Sequence, residues 1–115
     1  DTATNKEFVA AFKKAYGRTP TLYASQGYDG ALLIASALKA VNGDMSKVDQ
    51  FRKALEKADF PSVRGNFSFG NNNHPVQDIY VRKVIKDENG NFTNQIVQKV
   101  FTNHADAYAK ECVKK

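Results

Sequence analysis

Between positions 23 and 29, Tyr23, Ser25, Gln26, Tyr28 and Asp29 bring together two phenol rings, a hydroxyl, an amide and a carboxyl group. That set suits noncovalent capture of a small molecule. Aromatic faces supply a wall, while the polar side chains and the free N–H groups of a helix entry supply directional contacts. The structural alternative is that Tyr23 and Tyr28 pack with their hydroxyls satisfied, and that Ser25, Gln26 or Asp29 caps a helix. Catalysis finds no comparable grouping. There is no glycine-rich phosphate loop, no metal-binding helix motif and no nucleophile elbow. Ser25 with a His and an Asp is a combination that any chain of this size contains. His74 and His104 stand far apart, one in an asparagine tract and one near the last predicted helix, without the spacing of a metal site. The chain is therefore read as a binding protein and not an enzyme, with no metal and no cofactor.

The five residues stand at the foot of the most apolar stretch. Ala31, Leu32, Leu33, Ile34, Ala35, Ala37, Leu38, Ala40 and Val41 leave almost no polar face. This predicts a helix buried on most sides, starting between Gln26 and Asp29, running to about Val41 and stopped by Asn42-Gly43. Ahead of it, Thr4 followed three residues later by Glu7 reads as a capping box. Phe8, Ala11, Phe12, Ala15 and Tyr16 form the apolar stripe of that first helix, Gly17 ends it, and Arg18-Thr19-Pro20-Thr21 is a connector. Ser46 with Asp49 opens a third helix with a narrow stripe of Val48, Phe51, Leu55 and Ala58. Its other face, with Lys47, Arg52, Lys53, Glu56 and Lys57, is solvated.

After Pro61 the period changes to two. Val63, Phe67 and Phe69 mark a short irregular strand, broken by Gly65, Gly70 and Asn71-Asn72-Asn73. Two longer strands, QDIYVRKVIK and NFTNQIVQKVF, flank Asp87-Glu88-Asn89-Gly90, where the Asn-Gly step predicts a hairpin because both residues tolerate positive φ. HADAYAKECV predicts a short terminal helix. A lone hairpin is marginal in water, and the second helix is too apolar for one neighbour to cover. The chain is thus short of covering surfaces, a shortage that more of the same protein or a domain-exchanged copy would make good.

Composition limits the remaining classes. With 115 residues, 42% hydrophobic and 25% charged, the chain has the make-up of one ordinary globular domain. No apolar run approaches the ~20 residues that span a bilayer, and the start, DTATNKEFV, has no leader-like pattern. Seventeen Lys and Arg against twelve Asp and Glu give a net charge of +5. These bases are scattered over every element, Lys114 and Lys115 included, and often stand beside acids, so they read as solvated surface and not as a phosphate-binding patch. A nucleic-acid module would have to use Tyr80, Arg82, Lys83, Phe92 and Lys99 of the hairpin. A protein-interaction domain would instead use the apolar helix. Asn66-Phe67-Ser68 and Asn91-Phe92-Thr93 match the glycosylation acceptor pattern, a match frequent by chance. Cys112 is the single cysteine and cannot form an internal disulfide.

Read in order, AYGRTP, YASQGYDG, ALKAVNGD, a VDQFRKAL helix and RGNFSF resemble the last third of a type I periplasmic solute-binding protein of the Leu/Ile/Val-binding kind. The resemblance covers essentially all 115 residues. It implies an α/β fold, here part of a two-lobed receptor, with three helices, a short strand, a hairpin and a short terminal helix in this segment. Residues 1–20 would be second-lobe helix and crossing, 21–65 first-lobe helices, and 66–115 hinge strand, hairpin and terminal helix. The implied function is the extracytoplasmic substrate-binding component of an ABC transporter. It would take small organic acids, either branched-chain or other amino acids or aromatic carboxylates, and deliver them to a membrane permease. Tyr23 would face the cleft with Ser25 and Gln26 close by, and Tyr28 and Asp29 adjacent. The residues that grip a carboxylate from elsewhere in the first lobe would be outside this segment, so the segment alone should bind weakly or not at all. An oxidising periplasm would let Cys112 pair with a cysteine elsewhere in the receptor. No nucleic-acid partner is implied.

Overall fold

The computed structural model describes residues 2–112. Contacts divide the chain into two compact units, Asp1–Phe69 and Gly70–Lys115. The first holds α1 (Ala3–Tyr16), α2 (Leu22–Ala40), α3 (Val48–Lys57) and the three-residue strand β1 (Phe67–Phe69). The second holds β2 (Pro75–Lys86), β3 (Phe92–His104) and a single 3-10 turn, η1 (Ala109–Glu111).

Helix α1 is capped two residues before the cap expected at Thr4. Thr2, in an extended conformation, accepts the Asn5 N–H at 3.1 Å through its side chain. It is the earlier of two Thr residues with a polar residue three positions on, and capping there adds a further stretch of hydrogen-bonded helix. Gly17 closes α1 at φ 66° with its N–H on the Lys13 carbonyl, the left-handed stop that glycine adopts without a Cβ clash. Helix α2 departs further from expectation. It begins at Leu22, not between Gln26 and Asp29, because Thr21 is the N-cap, accepting the Ala24 N–H. A Thr directly after a Pro was the signal. The glycines at 27 and 30 do not delay the helix, since their unfavourable propensity of about 1 kcal/mol each is small against a continuous hydrogen-bonded run. Asn42 and Gly43, at φ 54° and 73°, end it.

The third helix is capped differently from expectation. Lys47 is its N-cap and makes no side-chain cap bond. Asp44 instead accepts from both the N–H and the hydroxyl of Ser46, tightening the turn ahead of the helix. The core of this unit is small: Phe8, Ala37, Val41, Ala58 and Val63 are buried, together with Asp29 and Ser62. Helices α2 and α3 pack together, and Phe60, Phe67 and Phe69 stack in series, with ring centroids 5.5 and 5.2 Å apart. The expectation that α2 is buried on most sides does not hold within this chain. Ala31, Ile34 and Ala35 are exposed, Ile34 by 50%, because no element of the unit covers that face.

In the second unit β2 and β3 pair antiparallel from Gln77 with His104 to Lys86 with Phe92, with irregularities between Gln77 and Ile79, between Ile79 and Tyr80 and between Val81 and Arg82. The register pairs Ile79 with Phe101, Tyr80 with Lys99, Val81 with Gln98 and Arg82 with Ile96, which leaves Val100 and Val97 as the extra residues of two bulges. The hairpin expected at Asp87-Glu88-Asn89-Gly90 forms. Only Gly90 has positive φ, at 77°; Asn89 does not. The Gly90 N–H bonds to the Asp87 carbonyl and the Asp87 N–H to the Asn91 carbonyl, a longer loop closed by a left-handed glycine. The Asp87 carboxyl accepts the N–H groups of Asn89 and Asn91 and selects that form. The terminal helix is shorter than expected. Strand β3 runs on to His104, Asp106 accepts the Tyr108 N–H, and only Ala109–Glu111 makes a 3-10 turn. Val113 of the expected terminal helix and the basic residues Lys114 and Lys115 lie outside the described residues.

Candidate functional site

Early capping at Thr21 puts all five candidate residues on the first two turns of α2 and separates them by direction. Tyr23 and Gln26, three apart, share a face with Gly27, and all three are exposed. Tyr23 is 80% exposed, its ring uncovered by anything in the unit. A Cβ built on Gly27 or Gly30 meets no atom within 4 Å, so open space continues along this side of the helix. The Ser25 hydroxyl donates to the Leu22 carbonyl at 2.6 Å, a back-bond that leaves its oxygen as an acceptor. The first-turn N–H groups of α2 have no acceptor further back in the helix. Tyr23, Gln26 and that helix entry therefore form one surface with an aromatic wall and several hydrogen-bonding groups.

Tyr28 and Asp29 do not join that surface. The Tyr28 ring lies 4.7 Å from the ring of Phe8 on α1. Asp29 is 7% exposed, and both its oxygens are engaged within the chain. Oδ2 accepts the Ser62 hydroxyl at 2.7 Å, Oδ1 accepts the Val63 N–H at 2.9 Å, and the Arg64 Nε stands 3.9 Å from Oδ2. Ser62, Val63, Arg64 and Phe8 were missed as companions of the candidate residues. No local signal could have joined Asp29 to a loop 33 and 34 positions away.

The two histidines, expected in separate contexts, line one open cavity of about 300 Å³ with Pro75, Gln77, Ile79, Ala105 and Asp106. The Gln77–His104 pairing of the hairpin brings them there. His74 Nδ1 is 3.7 Å from Asp106 Oδ2, which also accepts from the Asn72 amide at 2.7 Å. Among the described residues no group of three or more His, Cys, Asp or Glu side chains is arranged to hold a metal.

On the hairpin, Asp78 accepts from the Lys99 ammonium, the Tyr80 hydroxyl and the Asn103 N–H. Lys99 also lies over the Tyr80 ring, 5.6 Å from its centroid. The Lys99 hydrogen bond, followed by the Asn103 N–H, holds the Asp78 carboxyl below its ordinary value, with partial burial working the other way. The same bond raises Lys99. Tyr80 and Lys99, two of the five side chains a nucleic-acid platform would need, are thus already bound to a carboxylate. No helix among the described residues is long and apolar enough to cross a membrane.

The chain is similar to several known proteins. Among solved structures, a solute-binding protein of an ABC transporter from R. palustris, in complex with benzoate, matches with a TM-score of 0.79 and 34% identity, over 93% of this chain and 28% of that one. An ABC transporter substrate-binding protein from Sphaerobacter thermophilus matches with a TM-score of 0.76 and 31% identity, over 90% of this chain and 28% of that one. A Leu/Ile/Val-binding protein homolog from Brucella abortus is 33% identical over 103 residues, covering 85% of this chain and 26% of the relative. The chain therefore spans about a quarter of the length of the proteins it matches. The periplasmic binding protein family matches residues 1–90, and with three helices followed by a hairpin in the arrangement of its solved members, this chain belongs to that family.

Proposed function

We propose that this chain is part of the extracytoplasmic substrate-binding component of an ABC transporter, which binds a small organic acid between two lobes and presents it to a membrane permease. The ligand class is branched-chain or other amino acids, or aromatic carboxylates. The observation that carries the reading is the match, at 34% identity over 93% of this chain, to a solute-binding protein crystallised with benzoate. Residues 1–20 belong to the second lobe with its crossing, 21–65 to the first lobe, and 66–115 to the hinge strand, hairpin and terminal turn. Tyr23 forms part of the cleft wall, Gln26 and Ser25 supply polar contacts, and the α2 entry contributes N–H groups to the acid. The 80% exposure of Tyr23 supports this, because a large ring left bare by its own unit is suited to cover from a ligand or an opposing lobe. Tyr28 and Asp29 support the wall from behind. No chemistry beyond binding is required of any of these side chains.

The test is calorimetric titration of the full encoded protein with leucine, isoleucine, valine, benzoate and other aromatic acids. Replacing Tyr23 by Ala removes apolar contact worth ~1–3 kcal/mol, roughly a five- to hundredfold loss of affinity. Equal affinities in a stably folded variant would remove Tyr23 from the cleft. Absence of binding to every acid would overturn the ligand class.

A further inference from the structure

Asparagine precedes glycine twice in this chain, at Asn42-Gly43 and at Asn89-Gly90. Glycine has no side chain to shield its backbone nitrogen, so at such a step that nitrogen can reach the side-chain carbonyl carbon of the asparagine before it. Whether it does depends on what else holds the nitrogen. At the first step the Gly43 N–H bonds to the Leu38 carbonyl at 2.9 Å and the Asn42 N–H to the Lys39 carbonyl at 3.1 Å, the paired closure of a helix C-terminus. Val41, the residue before them, is 2% exposed. Freeing the Gly43 nitrogen therefore means disturbing the core.

The guard at the second step is lighter. The Gly90 N–H bonds to the Asp87 carbonyl at 2.9 Å, and the Asp87 carboxyl takes the N–H groups of Asn89 and Asn91 at 3.0 and 2.8 Å. These bonds lie in one loop at the end of a two-stranded ladder, whose last pair is Lys86 with Phe92. Every residue from Glu88 to Phe92 is exposed, so no buried side chain has to move when the loop opens. Local opening there is less costly than opening a helix end packed on the core.

We propose that Asn89 is a site of spontaneous covalent modification, deamidation through a cyclic imide, and that Asp87 gates it. In the open loop the Gly90 nitrogen gives up its proton and attacks Asn89 Cγ. The new C–N bond closes a five-membered ring, and the side-chain nitrogen leaves as ammonia, carrying that proton away. Water then opens the ring, at Cγ to give aspartate or at the backbone carbonyl to give isoaspartate, in which the chain continues through Cγ. Nothing is oxidised or reduced, and water is the sole co-reactant. In the closed loop the proton is held on the Asp87 carbonyl, and the nearby carboxylate opposes the negative charge that the nitrogen must acquire. Either product sets a further carboxylate beside Asp87 and Glu88. Isoaspartate also lengthens the backbone within the loop, so the Asp87 carboxyl can no longer hold both N–H groups and the hairpin end loosens.

The test incubates the full folded protein in mildly alkaline buffer and follows each asparagine by peptide mass mapping, with isoaspartyl methyltransferase labelling for the isomer. Asn89 should convert first, while Asn42 stays an amide until urea unfolds the chain. Asp87→Ala should speed conversion at Asn89 about two- to twelvefold, the change in open population that one hydrogen bond makes, and leave Asn42 unaffected. Asn89→Gln keeps an amide but would need a larger ring, and should give no acid at that position. Conversion of Asn42 as fast as Asn89 in the folded protein overturns the proposal. So does an Asn89 that stays intact in the folded protein while it converts in urea, a comparison that needs no variant. An unchanged rate in folded Asp87→Ala overturns the gate.

Discussion

Two carboxyl groups, Asp29 and Asp78, tie residues distant in sequence together, and they do different work. Asp29 is buried and holds two donors from a distant loop. Truncating it to Ala would leave the Val63 N–H and the Ser62 hydroxyl without their acceptor inside the protein, a cost of about 1–3 kcal/mol. Urea denaturation of Asp29→Ala should register that loss, whereas Asp29→Asn, which keeps one acceptor, should lose less. Asp78 ties Lys99, Tyr80 and Asn103 together across the hairpin, and its carboxyl titrates below the ordinary value. A lowered folded value means that the carboxylate contributes stability above the unfolded value, near pH 4, and that this contribution disappears as pH falls through the lower folded value. Asp78→Asn should therefore be less stable than wild type at neutral pH and converge with it as pH falls below the ordinary carboxylate range. Parallel curves across that window in acid titrations followed by circular dichroism would show that the ion pair contributes nothing.

At the scale of elements, end chemistry rather than apolar content sets where the helices begin. Thr21 decides the start of α2, so the Thr21→Ala variant should lose about 0.5–2 kcal/mol of stability and lower the helicity of the first turn that bears Tyr23. Amide hydrogen exchange at Ala24 and Ser25 is the direct measurement, and unchanged protection there would remove the cap from the account. Gly90 decides the form of the hairpin. At φ 77° with open space around a built Cβ, its replacement by Ala meets no clash with a neighbour but must adopt the left-handed region, at about 1 kcal/mol. The Gly90→Ala variant should consequently unfold at lower temperature while keeping the Asp78–Lys99 tie.

For the whole molecule, the accessible surface is 8788 Å². A folded monomer of 12.8 kDa exposes roughly 6,300 Å², and two separate globules dividing that mass would still expose only roughly 7,500 Å². The excess is visible in bare apolar residues: Leu22, Ile34 and Val48 in the first unit, Phe92, Val97 and Phe101 in the second. These 115 residues produced alone should associate with rising concentration or bind a hydrophobic dye. Sedimentation of a single monomeric species at all concentrations, with cooperative unfolding and no dye binding, would refute this expectation.

Periodicity determined much of this protein from sequence alone. The three helices, the short strand and the two long strands were legible because apolar stripes at 3.6 and 2 residues report which side of an element faces a neighbour. The ordered motifs from AYGRTP to RGNFSF carried the family. Local competition was less legible: Thr2 against Thr4 and Thr21 against Gln26 were each decided by which side chain caps the helix. Tertiary structure alone decided the packing partners of Tyr28 and Asp29. In sequence they look like part of one polar cluster with Tyr23 and Gln26, yet helix geometry turns them toward Phe8 and toward Ser62 and Val63. Those partners lie 20 to 34 positions away along the chain, beyond any period that a single sequence displays.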